Sequence, residues 1–186
     1  MRYFTSDLHF YHENIIGFCN RPFMSISDMN TVLLDNINSI VKKDDLLYIL
    51  GDFSFAPKSR NVQIVKSIAC PVVLIRGNHD QTARIKNLPF EEMYDELDLQ
   101  LGSHLVTLSH FPYSFASLGI EDTNHDRVDR FADARPKNNG LWLLHGHTHD
   151  KLRIRRKEKQ IHVGCDAWNY HPVSEIDIEN LIEDKI

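Results

Sequence analysis

Cysteine is scarce in this chain and unpaired by motif. Cys19, Cys70 and Cys165 are an odd number with no C-x-x-C spacing, so neither a disulfide framework nor a zinc knuckle is indicated, and reduced, buried thiols are expected. Basic charge is also short. The 21 Lys and Arg against 26 Asp and Glu leave a net charge of -5, which argues against a protein whose main task is clamping nucleic-acid phosphates. A nucleotide substrate stays open, because bound divalent cations would reset the local charge. No apolar run reaches the length of a membrane span. The start Met1-Arg2-Tyr3-Phe4-Thr5-Ser6-Asp7 lacks the basic stretch and apolar core of a secretory signal. A cytoplasmic protein without membrane contact is expected. Internal repeats, low-complexity tracts and linkers are absent as well, so residues 1–186 read as a single domain long enough to bury a real core.

What is abundant is histidine. There are 11, several of them clustered with Asp, Asn and Gly, and clustered imidazoles and carboxylates point to metal binding or acid–base chemistry. The runs Leu46-Leu47-Tyr48-Ile49-Leu50 and Pro71-Val72-Val73-Leu74-Ile75 suit strands buried on both faces. Tyr3-Phe4-Thr5, Leu105-Val106-Thr107-Leu108 and Leu141-Trp142-Leu143-Leu144 have the same form. Between them, Met29, Val32, Leu33, Ile37, Ile40 and Val41 recur at helical spacing, with Ser27 as the expected N-cap and Lys42-Lys43 at the end. Val62, Val65, Ile68 and Ala69 repeat the pattern, and Ser174-Glu175-Ile176-Asp177 opens a last helix. Strands alternating with helices and followed by more strands give an α/β sandwich with a mixed sheet. Residues 112–140 carry the least pattern and read as a long surface excursion of the kind that often faces substrate.

Each strand run ends in a polar cluster. Asp7-Leu8-His9 follows the first, and two residues apart in extended chain would aim a carboxylate and an imidazole at one metal. Gly51-Asp52, Gly77-Asn78-His79-Asp80, Ser109-His110 and Gly146-His147-Thr148-His149 follow the others. Strand ends that converge at one sheet edge would gather all five into one site. The glycines before Asp52, Asn78 and His147 would allow tight turns or close backbone approach.

In this order and over residues 7–149, the clusters D-x-H, G-D, G-N-H-D, a later His and G-H-x-H resemble the signature of the calcineurin-like metallophosphoesterase superfamily, in its small bacterial and phage form. Asp166-Ala167-Trp168-Asn169-Tyr170-His171-Pro172-Val173 is similar to the tail of such members. The resemblance implies a four-layer α-β-β-α sandwich with mixed sheets and two divalent transition-metal ions. Asp7, His9 and His149 would bind the first metal, Asn78, His110 and His147 the second, and Asp52 would bridge both. Such oxygen and nitrogen donors suit Mn, the first choice, or Fe, Zn, Co or Ni, better than Mg or Ca alone. Two cations about 3.5 to 4 Å apart can hold a bridging hydroxide for in-line attack on phosphorus. His79 would protonate the leaving oxygen, with Asp80 orienting and supporting its imidazole.

Other residues carry weaker signals. Arg76 either reaches a substrate phosphate or ends a strand; His12 either edges the site or caps a helix that begins near Glu13. Trp168 and Tyr170 read as packing at the sandwich edge. His104, His125, His145 and His162 are left to core or surface roles, and the basic run of residues 151–159 to a solvated hairpin, since Leu152 and Ile154 alternate with its charges. Arg127, Arg130 and Arg135 sit in the excursion, where they would read a second phosphate or face water, with Arg130 and Arg135 the choice for substrate selection. The substrate expected is a small phosphodiester or nucleotide, ahead of a nucleic-acid end. Alternatives are a phosphomonoesterase, including a phosphoprotein phosphatase, or a metal-binding interaction scaffold of the same fold, which would be expected to have lost ligands that this chain keeps. A metallo-β-lactamase-like site fails, because its H-x-H-x-D-H run would have to pass through Lys151 and Leu152.

Overall fold

The apolar runs become strands buried on both faces. The computed structural model describes residues 1–113 and 131–185. Among these the elements are β1 (Arg2–Thr5), α1 (Asn14–Phe18), α2 (Ile26–Ile40), β2 (Leu46–Ile49), α3 (Lys58–Ser67), β3 (Val72–Ile75), β4 (Glu92–Tyr94), β5 (Glu96–Leu101), β6 (His104–Ser109), β7 (Trp142–His145), β8 (Ile154–Arg155), β9 (Gln160–His162), β10 (Val173–Ser174) and α4 (Glu175–Ile182). Two mixed sheets form, in the orders β10-β1-β2-β3-β4 and β5-β6-β7-β9-β8. In the first, β1 to β4 are parallel and β10 is antiparallel; in the second, β6, β7 and β9 are parallel and β5 and β8 are antiparallel edges.

Side-chain alternation along β2 shows how the layers stack. Leu47 and Ile49 pack with Met29, Leu33 and Ile37 of α2, while Tyr48 and Leu50 pack with Val106, Leu108 and Leu144 of the second sheet. The first sheet therefore carries helices on one face and the second sheet on the other. On the outer face of the second sheet, Asn139 donates to Thr107, and the Tyr113 backbone N–H donates to Gln160. The described part of this outermost layer is irregular chain with a 3-10 turn at Ala132–Ala134. The molecule is thus the mixed two-sheet α/β sandwich expected.

Local details differ from the sequence reading. Ser25, not Ser27, caps α2: its extended backbone (φ -159°) lets Oγ accept the Asp28 N–H at 3.1 Å. Helix α3 buries Asn61, Ile64 and Val65, so its inward stripe is shifted from the expected one, and Ile68 falls just past its end. Strands β4 and β5 were not anticipated, since β5 alternates half-buried and exposed positions with charges at Glu96 and Asp98. The basic run does form a hairpin, β8 with β9. Its arginines have structural partners: Arg155 pairs with Asp150, Arg156 meets the end of α4, and Arg153 lies 4.2 Å over the Trp168 ring.

Candidate metal centre and catalytic site

Because β1, β2 and β3 run parallel, and β6 and β7 do likewise, the segments after their C-terminal ends meet along one edge of the sandwich. There the structure brings Asp7, His9, Asp52, Asn78, His79, His110, His147 and His149 together. One expectation about how they converge is corrected. Asp7 and His9 are not in extended chain; both have left-handed backbones (φ 57° and 49°), as do Asp52 (53°), His147 (71°) and His149 (52°). Asp, Asn and His tolerate this region better than other residues, and the backbone folds back at each of these positions. The reversal is held by hydrogen bonds from Asp7 N–H to Gly51 O (3.0 Å) and from His9 N–H to Asp52 O (2.9 Å).

Two groups of donor atoms result. In one, His149 Nε2 lies 3.9 Å from Asp7 Oδ1 with His9 close by. In the other, Asn78 Oδ1 is 3.1 Å from both His110 Nε2 and His147 Nδ1, and those nitrogens are 3.3 Å apart. Asp52 stands between the groups, its Oδ2 3.5 Å from His9 Nε2 and 3.6 Å from His110 Nε2. Its Oδ1 accepts the His79 N–H at 3.0 Å. Glycine makes this density attainable: a Cβ on Gly77 would stand 2.7 Å from the Asp52 backbone N, and one on Gly146 would collide with Ser6 and Asp7.

These residues fit divalent cations on three observations. His9 Nε2 is buried without a hydrogen-bond partner among the described residues, although such an atom is costly unless something meets it. The second nitrogen of three imidazoles is engaged elsewhere: His110 Nδ1 with Leu50 O at 2.8 Å, His9 Nδ1 with His12 Nδ1 at 3.2 Å, and His149 Nδ1 with Asp166 Oδ2 at 2.9 Å. Each therefore presents Nε2 to the site. Lastly, three buried carboxyls crowd together. Burial, with Asp7 and Asp80 adding to it against His110, pushes Asp52 up to about 7; a cation would relieve that repulsion. Burial also lowers His9 to about 2 and His147 to about 4, which keeps both rings neutral, the form that binds metal. His149 is the exception: burial disfavours its cation, but the Asp166 hydrogen bond, with Cys19 and Asp7, pushes it up to about 10.

The His79 ring is the exposed member, with 44% of the side chain accessible, and its Nε2 is 3.9 Å from Asp52 Oδ2. Burial lowers its pKa, and the Asp80 charge acts in the opposite sense. Among the described residues Asp80 makes no hydrogen bond to that ring, and its influence there is electrostatic. Its buried carboxylate accepts backbone N–H groups from Asp52 (2.7 Å), Phe53 (3.0 Å) and Gly77 (2.9 Å), lacing the loop after β2 to the loop after β3. Burial pushes its own pKa up, and those three donors oppose the rise.

His12 edges the site. It stacks on Phe55 at 4.0 Å and supplies no side-chain cap to α1, whose N-cap is Glu13. Arg76 forks onto Asp95 at 2.9 and 2.7 Å. Trp168 donates to His162 O, and Tyr170 packs edge-on against Phe23. His145 and His162 are buried, and His104 lies 3.5 Å from Glu183. His125, Arg127 and Arg130 lie outside the described residues. Arg135 donates to Pro112 O at 3.3 Å, and its charge helps depress the His147 pKa.

Sequence reasoning missed Arg21 and Asp166, which are buried together behind His149. For Asp166 a signal was available, since Gly164-Cys165-Asp166 follows the Gln160–His162 strand much as Gly51-Asp52 follows β2. Arg21 had none.

The sequence profile of the calcineurin-like phosphoesterase superfamily domain matches residues 4–165. The chain belongs to that superfamily of phosphoesterases, which supports a hydrolase, and its clustered His and Asp side chains could hold metal. Uncharacterized protein MJ1445 of Methanocaldococcus jannaschii is 32% identical over 190 residues, covering 97% of this chain and 90% of that protein. The Gene 66 protein of Mycobacterium phage L5 is 31% identical, covering 97% and 93%. Among solved structures, the protein of unknown function AQ665 from Aquifex aeolicus superposes with a TM-score of 0.77 at 29% identity, covering 98% of this chain and 99% of that one. Among the described residues no helix is long and apolar enough to cross a membrane.

Proposed function

We propose that this chain is a dinuclear metal-dependent phosphoesterase acting on a small phosphodiester or nucleotide, as a single domain in the cytoplasm. The observation that carries the reading is Asp52, a buried carboxylate 3.5 and 3.6 Å from imidazoles that belong to two separate donor groups. Asp7, His9 and His149 would hold one cation, Asn78, His110 and His147 the other, and Asp52 both. Manganese is the first choice for this donor mix, with iron, zinc, cobalt or nickel beside it. Cations held there supply positive charge to the phosphoryl oxygens and acidify water for attack at neutral pH.

The remaining work falls on the chain's own groups. The exposed His79 ring is placed at the mouth of the site by the bond from its backbone N–H to Asp52, and it hands a proton to the leaving oxygen. Burial lowers its pKa and so reduces the protonated fraction at neutral pH, while the Asp80 charge works to retain the proton it must donate. Asp80 keeps Asp52 and Asn78 in mutual register through the three backbone donors it binds. The rim supports a nucleotide: the half-buried Phe131 stands 5.3 Å from the His147 ring, backed by the buried Phe111, and Arg135 is nearby, a flat apolar and a cationic group suited to a base and a phosphate. The cytoplasmic placement is supported by three free cysteines, and the single domain by the apolar cluster shared between the sheets.

The test is metal analysis followed by a panel of mono- and diesters on the metal-loaded protein. Two equivalents of metal per chain and faster turnover of diesters are expected. Hydrolysis of neither class, or hydrolysis indifferent to metal, would defeat the reading.

A further inference from the structure

Behind the site lies a buried ion pair that no motif contains. Arg21, in the loop after α1, and Asp166, in a 3-10 turn (Cys165–Ala167) beyond β9, stand 145 positions apart. The Arg21 side chain is wholly buried, and its fork is fully used. Nε donates to Asp166 Oδ1 at 2.9 Å, and Nη2 to Asp166 Oδ2 at 2.8 Å and Asp7 O at 2.7 Å. Nη1 donates to Leu8 O at 3.2 Å and meets Met29 Sδ at 3.6 Å. One guanidinium thus grips the backbone of the Asp7-Leu8 turn, whose left-handed conformation needs such support, and the carboxylate that meets His149.

That carboxylate decides which nitrogen of His149 carries a proton. Paired with Arg21, Asp166 is an acceptor only, so the 2.9 Å contact to His149 Nδ1 requires the proton on Nδ1. In the neutral ring that a bound cation requires, the lone pair then sits on Nε2, the atom 3.9 Å from Asp7 Oδ1. Cys19, His149 and Asp166 could instead be read as a separate metal site. Arg21 argues against this, because both Asp166 oxygens are already bound to a cation and a metal there would face the guanidinium.

We propose that Arg21 and Asp166 are positioning residues for the Asp7–His9–His149 group: Asp166 fixes the ring and tautomer of His149, and Arg21 fixes Asp166 and the Asp7 turn. The proposal rests on the metal reading above.

Manganese titration by calorimetry, without substrate, tests it. The unmodified protein should bind two ions, and His149→Ala should weaken one of them. Asp166→Asn should weaken the same one by about 10- to 100-fold and leave the other alone. The double variant should bind no worse than His149→Ala by itself. Arg21→Lys, which keeps the charge but loses the fork, should fall between. In the zinc-loaded unmodified protein, nitrogen-correlated NMR should find the His149 proton on Nδ1, a readout that needs no variant to fold. A proton on Nε2, or an Asp166→Asn protein that binds both ions as before while His149→Ala loses one, overturns the positioning role and leaves the metal reading standing. Should His149→Ala keep both ions undiminished, the ligand reading falls and takes this proposal with it.

Discussion

Replacing Gly77 by Ala asks one steric question of this site. Gly77 does not have a left-handed backbone, so alanine meets no conformational penalty there; what it meets is Asp52. The new Cβ would overlap Asp52 Oδ1 and stand 2.7 Å from the Asp52 backbone N and 3.0 Å from His110 Cε1. Restoring ordinary contact, which begins at 3.4 Å, needs the Asp52 backbone N to retreat by about 0.7 Å and the Asp52 carboxylate by more. Asp52 is not free to do so, because its N–H is bound to Asp80 at 2.7 Å and its carbonyl accepts from His9 at 2.9 Å. Overpacking of this kind costs about 1 to 3 kcal/mol, or a fall in Tm of about 2 to 12 °C for a chain of this length. The effect on turnover should be larger, because a displacement approaching 1 Å among positioned groups costs about 100-fold. A thermal melt with metal-saturated kinetics on one preparation compares the two. Gly17→Ala is the control: a Cβ there meets nothing within 4 Å, and in helix α1 it should add about 0.5 to 1 kcal/mol of stability. A Gly77→Ala enzyme with unchanged Tm and turnover would refute the close approach of the β2 and β3 loops.

Other predictions are more direct. Asp52→Asn should weaken the binding of both cations in a calorimetric titration, since one carboxylate serves two groups; loss at a single site would show that it does not bridge. His79→Asn should keep its metal and lose about 100- to 10,000-fold in turnover on esters with an alkyl or ribose leaving group, and far less on nitrophenyl esters. Equal losses on both would assign it to phosphoryl charge instead of proton transfer. Thiol labelling under native conditions should modify the half-buried Cys19 first. Burial pushes Cys70 up to about 11 and Cys165 higher still, so these two should react only after unfolding; early labelling of Cys165 would contradict the packing of its Sγ against Asp7 O.

The sequence by itself determined the strands that matter, because β2 and β3 are apolar on both faces and such runs have few other uses in a chain of this charge. It also marked the candidate ligands, since each of these strands, like β1, β6 and β7, ends in Asp, Asn or His beside a small polar residue or glycine. Short local patterns of this kind need no knowledge of distant chain. Strand β5 was illegible for the opposite reason: an edge strand with charged outward positions looks like loop.

Only the tertiary structure decided how those donors are aimed. Left-handed turns at Asp7, His9 and Asp52 are held by bonds between the loops after β1 and β2, and the one at His147 by its N–H on the Asp7 carboxylate, not by spacing. Asp80 looked like a partner for the ring beside it and proved to bind three backbone N–H groups, two of them in the loop after β2, at Asp52 and Phe53. Arg21 and Asp166 acquire meaning only when the chain brings positions 145 residues apart within 2.8 Å. A buried charge has to find its counter-charge and its acceptors wherever the fold places them, and that placement belongs to the packed sandwich, not to any segment of the sequence.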